Sequence, residues 1–444
     1  MADDKFSHPG LVISSSFLSA ILVGTGLLSL PIASETGDRT NVMDALFTAT
    51  SAVCVTGLVT VDTATYWSTF GEVVILALIQ IGGLGIMTVA SLTVVLLSRR
   101  LGLRARLIAA AQTRTLSVRD IGRVVRNVTV FAIVSEVIVA AVLTARLATN
   151  TELAAGQALY EGVFHAISAF NNAGFALYAD SLTRYVSDPV VLLTVAVAVI
   201  VGGLGFPVLF ELARSWRHPK TWSVTTRVTV WVTVVLLVAG TVGFAATEHS
   251  NSETLGAVPA SSRMAVAFFS ATMPRTAGFN AVDIGAMTPE GLLFTEFLMF
   301  IGGGSAGTAG GIKVTTFGLL AVVLWAEMRG ENRVNVGVRQ IPTDNQRQAL
   351  AVTLLSAVAV ALATFVLLAE TAHALEDVLF EVISAFATVG LSTGITAELP
   401  DAAKLLLVAL MFVGRIGPLT LASALALRQR EHRYERPIER ITVG

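Results

Sequence analysis

The sequence predicts an all-α integral membrane protein of four fused span–pore-loop–span repeats, with eight transmembrane helices and four re-entrant pore helices around one pore. Three observations carry that class. Charged residues make up 14% and hydrophobic residues 54% of the 444 positions, against about 25% charged in an average soluble domain. With a mean hydropathy of +0.73, the chain has too little charge to coat a water-facing surface. Uncharged stretches such as Leu11 to Pro31, Val190 to Phe210 and Val228 to Thr247 are long enough to cross a hydrocarbon core about 30 Å thick. Finally, two glycine motifs recur four times at matched offsets, the mark of an internal repeat.

Taken in order, the apolar segments give full spans at 11–31, 71–97, 128–147, 189–212, 228–247, 291–326, 348–369 and 403–427. Within each successive pair lies a shorter, weakly apolar piece, at 42–58, 158–175, 262–279 and 376–391. Each piece is too short to span and too apolar for an ordinary loop. The repeats then occupy 1–98, 99–212, 213–326 and 327–444, the last closing in a tail. The first stretch lacks a basic leader and a small-residue cleavage site, so it reads as a retained helix rather than a signal peptide.

Charge gives the sidedness. The segments 1–10, 98–127, 211–227, 326–347 and 428–444 hold 22 of the 30 Lys+Arg but only 10 of the 31 Asp+Glu. Short basic loops stay cytoplasmic, so both termini are expected inside a multi-pass protein of the plasma membrane. The acidic remainder falls at the outer mouth, where it would concentrate cations. A net charge of −1 gives no reason to expect nucleic acid. The lone Cys54 excludes a disulfide framework and multi-cysteine metal sites. Six scattered histidines, no paired intramembrane acids and no Ser–His pair leave no catalytic constellation, so no enzyme is expected.

The short pieces align on one glycine each: SAVCVTGL (51–58), SAFNNAGF (168–175), TMPRTAGF (272–279) and SAFATVGL (384–391). The aligned glycines are Gly57, Gly174, Gly278 and Gly390, and Leu or Phe follows every one. A second motif begins at Gly82, Gly202, Gly302 and Gly414, at offsets of 25, 28, 24 and 24. Non-helical backbone at membrane depth is tolerated only where it lines a water-filled path or is buried in protein. Each piece therefore reads as a half-helix, Met43 to Ala52 in the first, ending in an extended strand. A half-helix entering from outside points its negative end inward, which favours a cation. Four such strands around one axis would offer rings of carbonyl oxygens in place of an ion's water shell. Helix packing alone would explain one glycine pair, but not four re-entrant motifs in register.

Span six is unlike the others. Phe300 to Ile312 reads FIGGGSAGTAGGI, with six glycines in mid-span, and glycine costs up to about 1 kcal/mol against alanine in a helix interior. A flexible loop beneath the filter is expected at 302–311. A phosphate-binding loop is excluded, because Ile312 separates Gly311 from Lys313. Lys313 and Arg415 are basic residues inside spans, where a charge must face a polar interior. Arg415 reads as an electrostatic barrier below the filter, whereas for Lys313 function and simple anchoring both remain open. Arg275 reads as an anchor, and Asp44, Glu161 and Glu381 read as helix caps.

On these motifs the chain resembles the membrane, ion-translocating subunit of Ktr-type potassium uptake systems in the Trk/Ktr/HKT superfamily. The matching segments are VTGL at 55–58, FHAISAFNNAGF at 164–175, PRTAGFN at 274–280, GTAGGIKVTTF at 307–317 and FVGRIGPLT at 412–420. Trk-type relatives carry two further N-terminal spans, and this sequence opens on the first repeat, which favours the Ktr type. Plant Na⁺-conducting relatives often have serine where Gly57 stands, which favours K⁺ as the main ion. A Na⁺-conducting or Na⁺-coupled transporter of the same fold is the alternative. The one departure is Cys54, where a small hydroxyl residue would be expected.

The resemblance implies a K⁺ filter made of the backbone carbonyls of Val55, Thr56 and Gly57, of Asn172, Ala173 and Gly174, of Thr276, Ala277 and Gly278, and of Thr388, Val389 and Gly390. It also implies an intramembrane gate of Gly302, Gly303, Gly304, Ser305, Gly307, Thr308, Gly310 and Gly311 with Lys313 and Arg415. No cofactor is implied in the chain itself; K⁺ is the transported ion, with Na⁺ a candidate activating ion. The implied partners are membrane lipid, a second copy forming a homodimer, and a ring of cytosolic nucleotide-binding regulatory subunits. The apolar ending Ile441-Thr442-Val443-Gly444 is expected to pack at the dimer interface.

Overall fold

Polar caps and prolines decide where the helices begin. In the computed structural model, residues 9–99, 118–151, 153–331, 333–337 and 339–417 are described. The 441–444 ending and most of the 98–127 basic segment lie outside those residues. The α-helices of ten residues or more are α1 (Pro9–Leu28), α2 (Val42–Cys54), α3 (Thr69–Arg99), α4 (Val118–Asn150), α5 (Ala155–Phe170), α6 (Pro189–Leu204) and α7 (Phe206–Ser215). They continue as α8 (Val224–Glu248), α9 (Ala260–Thr272), α10 (Pro289–Phe300), α11 (Val314–Met328), α12 (Thr343–Glu370), α13 (Leu375–Ala387) and α14 (Asp401–Ile416). One small hairpin, β1 (Asn335–Val336) with β2 (Arg339–Gln340), pairs Asn335 with Gln340.

The Asn41 side chain caps α2 through the Met43 N–H at 3.0 Å. Asp188 caps α6 and Thr288 caps α10, each followed by proline at the first helical position, where the missing N–H matters least. Among the described residues, three helices are long and apolar enough to cross a membrane alone, Val125–Asn150, Val224–Glu248 and Thr343–Glu370. The pair α6 and α7 makes a fourth if taken as one span.

The short helices α2, α9 and α13 have 13 residues each and α5 has 16. At 1.5 Å per residue that is roughly 20–24 Å, too short to cross. They form the core. Phe47, Phe164, Phe269 and Phe380, one on each, are fully buried, and so is nearly all of α2 from Phe47 to Cys54. The wide outer faces of α4, α8 and α12 instead expose Val137, Val242 and Phe365, as a lipid-facing surface does.

Two stretches depart from the expected straight spans. The stretch 189–212 is bent by 99° between α6 and α7, because Gly205 takes φ +89 and Pro207 follows it. The stretch 291–326 is interrupted over residues 301–313, between α10 and α11, a gap slightly wider than the glycine run suggests.

Candidate functional site

Each short helix stops on a residue or short turn that enters the left-handed region. Val55 has φ 54, Asn172 φ 58, Thr276 φ 67 and Thr388 φ 52, and two residues later Gly57, Gly174, Gly278 and Gly390 have φ 93, 73, 71 and 95. After α2, the Val55 N–H returns to the Ala52 carbonyl at 3.1 Å and the Thr56 N–H to Ser51 at 2.8 Å. That is the Schellman ending of a helix, with valine in place of the usual glycine. Asn172–Ala173 and Thr388–Val389 repeat the same pair of bonds. The third strand differs: the Ala277 N–H returns to Met273 at 3.0 Å.

The four glycines close a ring in chain order. A methyl group added to Gly57 would lie 3.1 Å from the Gly174 Cα, one on Gly174 3.0 Å from Gly278, one on Gly278 3.1 Å from Gly390, and one on Gly390 3.0 Å from Gly57. Each would also strike the carbonyl oxygen preceding the next glycine, namely Ala173, Ala277, Val389 and Thr56 in turn. Positive φ and lack of space thus both require glycine here. The following residues, Leu58, Phe175, Phe279 and Leu391, are buried and fix the strands from behind.

A cavity of about 320 Å³ opens on the ring from the side where the strands leave it. Asp62, Tyr178, Asn280 and Ser392 are among its walls. Beside it, Asp180 pairs with Arg184 at 2.5 Å. Burial raises the Asp180 carboxyl, but the hydrogen bonds from Arg184 and Thr183 outweigh it and hold the group below its ordinary value. The Arg184 guanidinium also lies 4.4 Å above the Tyr178 ring.

On the opposite side of the ring lies the segment 301–313. Thr308 Oγ1 donates to Asn172 Oδ1 at 2.8 Å, and Asn172 Nδ2 donates to the Arg275 carbonyl at 3.3 Å. A side chain on Gly310 would strike Thr388 Oγ1, and one on Gly311 would meet Ala387 at 3.2 Å. Arg415 is 3% exposed and, among the described residues, pairs with no carboxylate. Its guanidinium donates to the Thr308 carbonyl and, at 3.0 Å, to the Gly82 carbonyl. Lys313 Nζ donates to the Ala309 carbonyl at 2.5 Å. The structure therefore brings Arg415, Lys313, the glycine run and two of the four strands that carry the ring glycines together. Ser305, at the outer edge, faces Thr315 at 2.8 Å instead.

The second glycine motif has a different task from the first. Side chains on Gly82, Gly202 and Gly414 would strike the carbonyls of Val53, Phe170 and Phe386, at the ends of α2, α5 and α13. These glycines let a neighbouring helix touch the end of a short one. In the third repeat Gly302 instead abuts Gly310 within the loop itself.

Some expectations need correcting, and some residues were missed. Arg275 does anchor its loop, through the Thr233 carbonyl at 3.4 Å and hydroxyl at 3.3 Å. Glu161 and Glu381 are not caps, because each lies well inside its helix. Glu161 accepts from the Tyr178 hydroxyl, and Glu381 from Ser392 and Thr396, so each fastens the segment beyond its filter strand. Asp44 is not the cap either, since Asn41 takes that place; it sits in the first turn of α2, 3.7 Å from Lys404. Missed altogether were Ser51 and Ser384, whose hydroxyls accept the Gly57 and Gly390 N–H groups at 3.0 Å each. A serine recurring six positions before the glycine was the available signal.

Comparison with known proteins places the chain in a family. The family described as TrkH, cation transport protein, matches residues 3–434. Ktr system potassium uptake protein B of Bacillus subtilis is 40% identical over 96% of this chain and 94% of its own length. Potassium/sodium uptake protein NtpJ of Enterococcus hirae is 36% identical over 99% and 98%. The crystal structure of the potassium transporter TrkH from Vibrio parahaemolyticus shares the fold with a TM-score of 0.72, at 19% identity, over 94% of this chain and 85% of that one. These relatives are cation transporters, not enzymes.

Proposed function

The chain belongs to the TrkH family of cation transport proteins, and from that membership we propose that it is the ion-translocating subunit of a Ktr-type potassium uptake system. The observation that carries this reading is the closed ring of Gly57, Gly174, Gly278 and Gly390 between an open cavity and a buried loop. K⁺ enters the cavity, sheds its water and is held by the carbonyls of Val55–Gly57, Asn172–Gly174, Thr276–Gly278 and Thr388–Gly390. The negative ends of α2, α5, α9 and α13 favour it there. The membrane potential supplies about 2.3 kcal/mol per charge for each 100 mV, enough to drive uptake without hydrolysis.

In this reading α1, α3, α4, α6 with α7, α8, α10 with α11, α12 and α14 are the eight spans, four repeats share one pore, and both termini are cytosolic. The loop from Gly302 to Gly311, held by Lys313 and Arg415, is the gate. A regulatory subunit on the cytosolic face opens it by preferring the clear conformation, which takes only a few kcal/mol of differential binding. The subunit functions as a homodimer.

Flux of K⁺, Rb⁺ and Na⁺ into proteoliposomes tests the assignment: K⁺ and Rb⁺ should enter faster than Na⁺. A chain that passes Na⁺ equally well supports the second reading, a Na⁺-conducting or Na⁺-coupled transporter, to which similarity to the potassium/sodium uptake protein NtpJ lends weight. Deleting 305–309 or making Arg415→Ala should raise K⁺ flux without a regulator. If both variants fold and conduct no faster, the loop is only a packing feature.

A further inference from the structure

The bend between α6 and α7 has a chemical consequence for the loop beside it. In a continuous helix the Gly202 carbonyl would accept from the Phe206 N–H, and the Gly203 carbonyl from residue 207. Pro207 has no N–H to give, and Gly205 turns the chain at φ +89, ψ 137. The last carbonyls of α6 are therefore left free inside the protein, where an unpaired carbonyl is costly.

The glycine-rich loop takes them. The Gly304 N–H donates to the Gly203 carbonyl at 2.7 Å and the Thr308 N–H to Gly202 at 3.3 Å, while the Phe206 N–H donates to the Ala306 carbonyl at 3.4 Å. The approach is close enough that a methyl group on Gly307 would lie 2.8 Å from the Gly203 oxygen and 3.0 Å from the Gly205 nitrogen. One limb of the loop is thus bonded to the bend, while Thr308 also reaches Asn172 and Arg415.

We propose that Gly205 and Pro207 are positioning residues that form a latch: by breaking the helix they free the Gly202 and Gly203 carbonyls, and these hold the loop beneath the filter ring. α7 is its lever. It leaves α6 at 99°, and its Glu211 accepts from the Ser223 N–H at 2.6 Å, the Ser223 hydroxyl at 2.7 Å and the Thr226 hydroxyl at 2.5 Å. The start of α8 and the basic segment around it are therefore tied to the bend. The first repeat provides the contrast: α3 runs unbroken through Gly82 to Gly85, with no proline there.

Only the effect on flux rests on the gating role proposed above; the latch is read directly from exchange. The test uses the double variant Gly205→Ala/Pro207→Ala in the full chain, which lets residues 206 and 207 return their N–H groups to α6. Hydrogen exchange of the 301–312 peptide should become about tenfold faster than in the parent, while peptides of α2 and α5 stay protected. Rb⁺ flux into proteoliposomes without a regulator should rise severalfold. Glu211→Gln, which leaves the bend intact, should show a smaller change in the same direction, and it serves if the double variant does not fold. Unchanged loop exchange in a folded double variant, or a loop already exchanging freely in the parent, overturns the latch. Faster exchange with unchanged flux upholds the latch and overturns the gating role.

Discussion

Val55 and Thr388 are β-branched residues held at φ 54 and 52, a conformation that costs roughly 1–3 kcal/mol and persists only where the surroundings impose it. Here the surroundings are identifiable: a buried helix end, a serine hydroxyl on the glycine N–H, and a buried Leu on the far side. Gly57 cannot be enlarged without touching the next strand. Gly57→Ser should therefore lower the K⁺/Na⁺ flux ratio severalfold with expression unchanged, and a ratio that stays constant would remove Gly57 from the filter. Glu248 offers a stability counterpart. Fully buried, it accepts from Asn251, Thr254 and both the N–H and hydroxyl of Thr288. Glu248→Gln sets an amide N–H against a donor and should destabilise by about 2–3 kcal/mol. A lower thermal midpoint in detergent, followed by tryptophan fluorescence, checks this.

Among the elements, the serine repeat makes a sharper test than the glycines. Ser51→Ala and Ser384→Ala each remove a bond to a ring glycine and, if the ring is the filter proposed above, should reduce K⁺ preference. Thr272→Ala, at the matching position of α9, removes only a bond to the Phe268 carbonyl of its own helix and should leave selectivity as it was. If all three behave alike, the hydroxyls do not set strand geometry. The short helices themselves were legible in the sequence, because length, apolarity and the aligned glycine are all local signals. The bend at Gly205 was not read, since Val190 to Phe210 is uniformly apolar and hydropathy does not register where a backbone breaks. Glu161 and Glu381 were misread as caps for a related reason: their partners lie beyond the filter strand, and only the fold brings those residues back. The shared offset suggests that Arg415 and the glycine loop lie near each other, and they do touch, whereas the carbonyls that Arg415 binds, on Thr308 and Gly82, are invisible to residue type.

At the scale of the whole molecule, charge sidedness can be read with thiols. Cys54 is fully buried, so the unaltered chain should take no membrane-impermeant maleimide. Glu253 and Lys220 are exposed at opposite ends of the apolar helices. Glu253→Cys should label on intact cells and Lys220→Cys only after permeabilisation; the reverse pattern would invert the topology. The ring has one more consequence, and it concerns inheritance. In an assembly of identical subunits, a single codon change alters every wall of the narrowing at once, so intermediate states cannot be visited. Here Gly57, Gly174, Gly278 and Gly390 are separate codons in one reading frame, and each change replaces one wall out of four while three stay in place. Such a narrowing can drift stepwise between ions, each step a viable chain, and the same order of steps is open to anyone who rebuilds it at the bench.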